Sequence, residues 1–332
     1  MKHSILYSAI AAAMAIGLAA CSSGSDVAGI GGSGITATGT ITGFGSVILD
    51  DVKFETSSST FDVDDNPDST EDALALGMRV TIKGTLNADG VTGTADSITY
   101  DDELQGPVSD PVNDVDADNK TITVLGITVA LNRNTTRFDT DEPIAGTFDF
   151  DSIAQGNNIE ISGYLNSSNQ LVATRVELED ETFDFNNDTV EVRGTVSNLI
   201  SDNFTLNLLG ISSATVNVVT SPGTEYELTG ELSDGILVEV EGKCTDANCD
   251  TIDAKSVEEE SEGFEDDGDV EIKGFITRYD SDSNFDVDGL LVDASNAQFE
   301  PASLVLAQDM FVEVEGTVTN NVLIATKVEL ED

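Results

Sequence analysis

The sequence has very few of the residues on which common enzyme mechanisms depend. Among 332 residues there is one histidine, His3, and no tryptophan. Because His3 lies in a segment with the features of a cleaved signal peptide, the mature chain has no histidine for a Ser-His-Asp or Cys-His mechanism or for a zinc site. Paired carboxylates could still hydrolyse glycosides, but they are too abundant to single out a pair, and small barrels offer no deep cleft. We expect a protein that is not an enzyme.

Basic residues are also scarce. The chain has 14 Lys and Arg against 63 Asp and Glu, a formal net charge of −49 at pH 7. Such a surface repels phosphate backbones, so we expect no nucleic-acid partner. Acidic excess often accompanies disorder, but 39% of the residues are hydrophobic and occur in periodic runs. We therefore predict folded units with solvated acidic faces.

Cysteine is rare, and Cys21 carries the most specific signal. A short basic start and an alanine-rich apolar run lead to Leu18-Ala19-Ala20-Cys21, which matches the lipobox of bacterial lipoproteins. The apolar run is too short to be a membrane span of the mature protein. We predict that residues 1–20 are a signal peptide and that acyl chains on Cys21 attach the chain to a membrane. By the Gram-negative sorting rule, Ser22 favours the outer membrane, with the protein facing the periplasm or the surface.

The other two cysteines, Cys244 and Cys249, lie in the segment KCTDANCD after an alternating strand. In an oxidising compartment we predict a disulfide across this turn. A redox or metal-binding pair is the alternative, but it would need ligands that the sequence does not offer.

Repetition is what the sequence has in abundance. A strand that alternates apolar and polar residues and ends in glycine occurs four times, and the glycines at 84, 163, 242 and 316 recur every 74 to 79 residues. This alternation predicts half-buried strands. After each glycine come an alanine and, three residues later, an aliphatic residue, as in Ala95 and Ile98. Because these would face opposite sides of a regular strand, we predict a β-bulge, or an alanine packed against a neighbouring element.

Each copy contains about five short strands, and no helix is predicted except a turn near residues 69–76. We predict an all-β protein of four small OB-like five-stranded barrels, because closure removes sheet edges. A continuous β-sandwich or solenoid shared between repeats is the alternative. Each module should be marginally stable alone and lean on its neighbours, while acidic linkers keep the string extended. The predicted boundaries are a flexible tether at 21–38 and modules at 39–103, 104–182, 188–260 and 268–332.

Residues 43–54, GFGSVILDDVKF, resemble the opening signature of a bacterial family described as domain of unknown function 5666. Residues 77–84 and 95–98 are similar to the rest of that domain. The resemblance is clearest over 39–103 and looser over 104–180, 190–258 and 270–330. It implies tandem copies on a lipoprotein, and the family brings no established activity.

Acidic turns supply the candidate calcium ligands. An EF-hand loop starting at Asp114 would need glycine at its sixth position and glutamate at its twelfth, but Asn119 and Leu125 stand there. Asp and Asn also favour turns for their own hydrogen bonding. We expect weak Ca²⁺ binding at most, and no other cofactor. The candidates are Asp114, Asp116, Asp118, Asp280 and Asp282.

Together these features predict a non-enzymatic, membrane-anchored envelope lipoprotein whose modules act as a binding or structural scaffold. Its partners would be the membrane, through the acyl chains, and an envelope protein or glycan. The alternatives are a divalent-cation-dependent adhesion or envelope component and a carboxylate-based glycan hydrolase.

Overall fold

The computed structural model describes residues 34–140, 146–211, 213–260 and 268–331. The predicted signal peptide, Cys21 and residues 22–33 of the tether lie outside the described residues. Within them, the single helix is a 3-10 turn at Glu71–Ala73, where a turn was predicted. No helix in these ranges is long and apolar enough to span a membrane.

The first module is a closed barrel. Around the barrel the strand order is β1-β2-β3-β6-β5 and back to β1, and β4 pairs with β6 outside this circuit. Alternation along the strands sends one side chain in two inward, so that Ile41, Phe54, Ile82 and Ile98 are almost fully buried. Its strands are β1 (Gly34–Gly43), β2 (Val47–Leu49), β3 (Val52–Glu55), β4 (Thr60–Val63), β5 (Arg79–Leu86) and β6 (Thr92–Tyr100).

The other three modules repeat this circuit, with module 2 closed between β7 and β9 by one bridge, Val108 to Val124. The predicted OB-like barrels are confirmed. The strands of module 2 are β7 (Leu104–Pro107), β8 (Asn113–Asp114), β9 (Asn119–Val124), β10 (Ile127–Asn132), β11 (Arg137–Asp139), β12 (Asn158–Leu165) and β13 (Gln170–Asp180). Those of module 3 are β14 (Val190–Ile200), β15 (Asn203–Leu208), β16 (Thr215–Val219), β17 (Glu225–Glu227), β18 (Leu237–Cys244) and β19 (Thr251–Glu259). Those of module 4 are β20 (Asp269–Ser281), β21 (Asn284–Val287), β22 (Leu290–Asp293), β23 (Gln298–Glu300), β24 (Phe311–Thr319) and β25 (Val322–Leu330).

The β-bulge predicted after each repeated glycine is present in all four modules. In module 2 the register moves from Ser162 opposite Arg175 to Gly163 opposite Ala173, which leaves Thr174 as the extra residue. The same shift occurs at the equivalent glycine of the other modules. A Cβ on any of these glycines would lie less than 3.0 Å from a backbone carbonyl oxygen of the bulged strand. The glycine is therefore required by the close approach of two backbones.

Replacing this glycine should destabilise its module. We expect Gly163→Ala to lower the free energy of unfolding by about 2 kcal/mol, because the new methyl group overlaps the Val172 carbonyl oxygen. Urea denaturation would measure it. Gly230→Ala is the matched control: its Cβ meets nothing within 4 Å, so it should be neutral or slightly stabilising. Equal effects of the two substitutions would contradict the close-approach explanation.

Two-residue turns join the second and third strands of modules 1, 2 and 4, whereas six residues separate β15 from β16 in module 3. In modules 2 and 4 both turn residues have positive φ: 47° and 83° for Leu125 and Gly126, and 49° and 87° for Asp288 and Gly289. This is the backbone of a type I′ hairpin turn, which suits the twist of the strands. Leu209 and Gly210, which begin the longer connection of module 3, have similar values of 49° and 71°. These turns place the side chains of Leu209 and Asp288 at the centre of the molecule.

The modules are not strung out. Residues Ile35–Thr38 of β1 run parallel to Asp269–Ile272 of β20, so modules 1 and 4 share one sheet. Strand β7 pairs with β14, so modules 2 and 3 share another. The prediction of an extended string was wrong. The modules are separate barrels and not the alternative, a continuous β-sandwich or solenoid, although strand pairing joins them two by two.

The predicted tether ends too late. Residues 34–38 belong to β1, whose backbone pairs with β5 on one side and β20 on the other. Ile35 and Ala37 are buried, so this short stretch alternates like the other strands. The stretch directly follows a glycine- and serine-rich segment, and its partner β20 lies more than 200 residues further along the chain.

Candidate functional site

A cavity of about 400 Å³ lies where the four modules meet. We call it the central cavity. The sequence predicted no deep cleft within a single small barrel. This cavity lies between barrels. Its lining comes from every module and includes Thr38, Arg79, Thr81, Lys83 and Thr99 of module 1, Leu165 and Leu171 of module 2, Arg193, Leu209, Leu237 and Glu260 of module 3, and Ile272 and Asp288 of module 4, with Asp101 and Glu103 from the link after module 1.

Arg79 lines this cavity and contacts groups from three modules. Its guanidinium forms an ion pair with Glu103 at 3.3 Å and a closer one with Asp288 of module 4. It also lies over the ring of Tyr164 in module 2, 5.0 Å from the ring centroid. Glu103 is buried and accepts a hydrogen bond from the Gly163 backbone N–H at 2.8 Å. One side chain therefore holds modules 1, 2 and 4 together.

Arg193 has the same role for module 3. It lies on β14 and faces away from the barrel core. Its guanidinium pairs with Glu239 and with Glu260, both at 2.9 Å, and with Asp101 of the link between modules 1 and 2 at 3.3 Å. Because arginine stays protonated and has five donors, it can hold several carboxylates at once.

Four carboxyl groups lie close together near Arg193, and we call them the carboxylate cluster. Three are on strands whose alternate residues fill the barrel cores, so they point outward from the sheet of modules 2 and 3. The end of module 1 packs over them: the Tyr100 hydroxyl donates a hydrogen bond to Glu160 at 2.6 Å. The members of the cluster are Asp102, Glu160, Glu191 and Glu239.

The carboxylate cluster retains protons near neutral pH. Burial, together with repulsion from Asp64, raises the pKa of Glu191 to about 8. Burial and repulsion from Glu191 raise the pKa of Glu239 to about 9. Interaction with the Glu239 side chain partly opposes the rise in the pKa of Glu191.

The other two members are also shifted. Burial and the neighbouring carboxylates raise the pKa of Asp102 well above its usual range. Asp102 is 3% exposed, and its Oδ1 has no hydrogen-bond partner among the described residues. Burial raises the pKa of Glu160 against the opposing effect of the Tyr100 hydrogen bond.

The predicted calcium ligands do not come together at this centre. Asp116 is exposed, and its carboxylate accepts hydrogen bonds from the backbone N–H groups of Asp118 and Asn119, both at 2.9 Å. This is the turn chemistry that the sequence offered as the alternative. Asp114 lies 3.7 Å from Lys120, and Asp118 lies 3.8 Å from Arg133.

The module 4 candidates are engaged in the same way. Asp280 pairs with Arg278, and Asp282 accepts a hydrogen bond from the Tyr279 hydroxyl at 2.7 Å. In the described ranges, no group of three or more His, Cys, Asp or Glu residues is arranged to hold a metal ion. Weak calcium binding stays a prediction. The predicted disulfide between Cys244 and Cys249 is present and lies across the turn between β18 and β19.

Sequence reasoning missed Arg79, Arg193 and the carboxylate cluster. One signal was available: with 14 basic residues in 332, an arginine on the polar side of a strand is rare enough to suggest a buried partner. Nothing local separates Glu191 or Glu239 from solvated glutamates, because the alternation is the same in both cases.

Comparison with family models assigns the chain to a protein family. Residues 35–99, 105–177, 193–258 and 273–329 each match the family described as Domain of unknown function (DUF5666), and each match falls on one barrel. The chain belongs to this family. A DUF5666 module is therefore the closed barrel with its bulge and glycine, and this chain carries four in tandem.

Other comparisons add little to the DUF5666 assignment. The search of curated proteins finds no significant match. A solved structure titled "drosophila Unr CSD456" is 13% identical, and the alignment covers 70% of this chain and 98% of that one. Its TM-score is 0.18, so this likeness carries no argument about function.

Proposed function

We propose that this protein is a non-enzymatic, membrane-anchored envelope lipoprotein whose four DUF5666 modules act together as a binding scaffold. The supporting observation is the pairing of module 1 with module 4 and of module 2 with module 3 around the central cavity. The four modules enclose one shared cavity, and each of them contributes residues to its lining. Small-molecule sites are often found between structural units in this way.

The charged groups that line the cavity are engaged with one another. The carboxylates of Glu103, Asp288, Asp101 and Glu260 are each paired with an arginine. Such pairs fix the modules in place and present a preorganised polar surface.

Lipid attachment rests on Cys21 and is tested in a Gram-negative host. We expect the full chain to incorporate radiolabelled palmitate and to fractionate with the outer membrane, because acyl chains anchor without spanning. Cys21→Ala should lose the label and the membrane association. Ser22→Asp is the matched control: it should keep the label and move to the inner membrane. Label on the Cys21→Ala chain, or an unlabelled wild type, would contradict the proposal.

A further inference from the structure

The central cavity has two chemically different linings. One is a set of threonines on the outer faces of β1, β5 and β6, namely Thr38, Thr81 and Thr99. The hydroxyl oxygens of Thr38 and Thr81 lie 3.3 Å apart, and either can donate. A hydroxyl both donates and accepts hydrogen bonds, so this surface adapts to either kind of ligand group. The other lining is aliphatic and comes from the leucines of modules 2 and 3.

An apolar ligand does not fit this combination. It would displace water from the threonine hydroxyls and from the Arg79 guanidinium without replacing the hydrogen bonds. Leaving a buried polar group unpaired costs about 1–3 kcal/mol. The cavity therefore favours a ligand that brings its own hydrogen-bonding groups.

A charged ligand does not fit either. Arg79 and Arg193 are balanced by the carboxylates around them. An anion would face these carboxylates as well as a chain with a net charge of −49. A cation would have to compete with Lys83, which also lines the cavity, and with two arginines that stay protonated. Desolvating a charge that gains no opposite partner is costly.

We propose that the central cavity binds a small neutral polyhydroxyl compound, of the class of a mono- or disaccharide. Its hydroxyl groups would bond to Thr81, Thr99 and Arg79, and its C–H faces would pack against Leu209 and Leu237. The cavity of about 400 Å³ is within the range of small-molecule sites, roughly 300–1,000 Å³. This inference rests on the proposed role as a binding scaffold and specifies the ligand of that site.

The test is isothermal titration calorimetry on the full chain in a detergent without a sugar headgroup. The probes are glucose and maltose, with glucosamine, glucose 6-phosphate and cyclohexanol as cationic, anionic and mainly apolar counterparts. We expect saturable heat with a neutral sugar and at least about tenfold weaker binding of the three counterparts, because each lacks one part of the match.

Two variants locate the site, with a matched control. Thr81→Val removes one hydroxyl at constant shape and should weaken sugar binding about fivefold to tenfold. Thr128→Val makes the same change on β10, outside the cavity lining, and should leave binding unchanged. Leu237→Trp fills the cavity and should abolish binding while circular dichroism shows an intact fold.

The proposal is overturned if no neutral sugar gives saturable heat, if a charged counterpart binds more tightly, or if the Leu237→Trp chain still binds. These outcomes leave palmitate labelling and fractionation unaffected, so failure of the ligand class is distinguishable from failure of the anchored-lipoprotein proposal. If maltose binds and is also cleaved, the proposed ligand class is supported, but the proposal that the protein is not an enzyme is wrong.

Discussion

Raising the pH from about 5 to about 8 is expected to lower the free energy of unfolding by about 3 kcal/mol or more. The cause is the carboxylate cluster. The folded-state pKa values of Glu191 and Glu239 are raised to about 8 and about 9, whereas an unfolded glutamate titrates near 4.3. Between these limits the folded chain binds more protons, so its stability is greatest below the unfolded pKa and falls as pH rises through the folded one.

Thermal unfolding across this range would show the effect as a decrease in Tm of about 5 °C or more. Measurement in roughly 1 M salt separates the cluster from general surface repulsion, because the screening length there is about 3 Å. The exposed carboxyls of Asp116 and Asp151 have lowered pKa values, owing to hydrogen bonds from Asn119 and Arg133. They titrate below this pH window.

Glu239→Gln tests the assignment to the cluster. It removes a titrating group, and Arg193 keeps Asp101 and Glu260 as partners. We expect a shallower dependence of Tm on pH and a higher Tm than wild type at about pH 8. Glu231→Gln, in an exposed loop of module 3, should leave the slope unchanged. A wild-type stability that is flat or rises with pH would rule out a buried cluster that retains protons.

Replacing Arg79 should have the largest effect of any single charge. We expect Arg79→Met to lower the free energy of unfolding by about 3–5 kcal/mol, because it leaves Glu103 and Asp288 uncompensated between modules. Since these partners belong to different modules, the loss should also divide a single denaturation transition into more than one. Denaturation followed by circular dichroism and by tyrosine fluorescence would show both effects.

Arg133→Met is the control for the loss of an arginine. Arg133 pairs with Asp151 at 2.7 Å on the surface of module 2, where the two side chains are 38% and 66% exposed. Exposed pairs contribute about 1 kcal/mol or less. Adding Glu103→Gln to Arg79→Met should restore part of the stability, because it removes one of the unpaired charges. An Arg79→Met chain that unfolds like wild type would show that the modules are held together by other contacts.

The arrangement within each module could be predicted because its determinants are local. Alternation with period two set which residues enter the barrel, and the glycine followed by alanine located the bulge at Gly163 and its equivalents. The spacing of Cys244 and Cys249 was enough for the disulfide. Each feature depends on residues that are close in sequence.

By itself, the sequence determined the number of modules, their barrel architecture and their family. The tertiary structure alone decided which modules pair, that residues 34–38 form a strand, and that Arg79 and the carboxylate cluster lie between modules. The physical reason is that an outward-facing polar residue has the same pattern whether water or another module covers it. Its charge affects the stability of the fold only when parts of the chain that are distant in sequence, such as β1 and β20, come together and bury it.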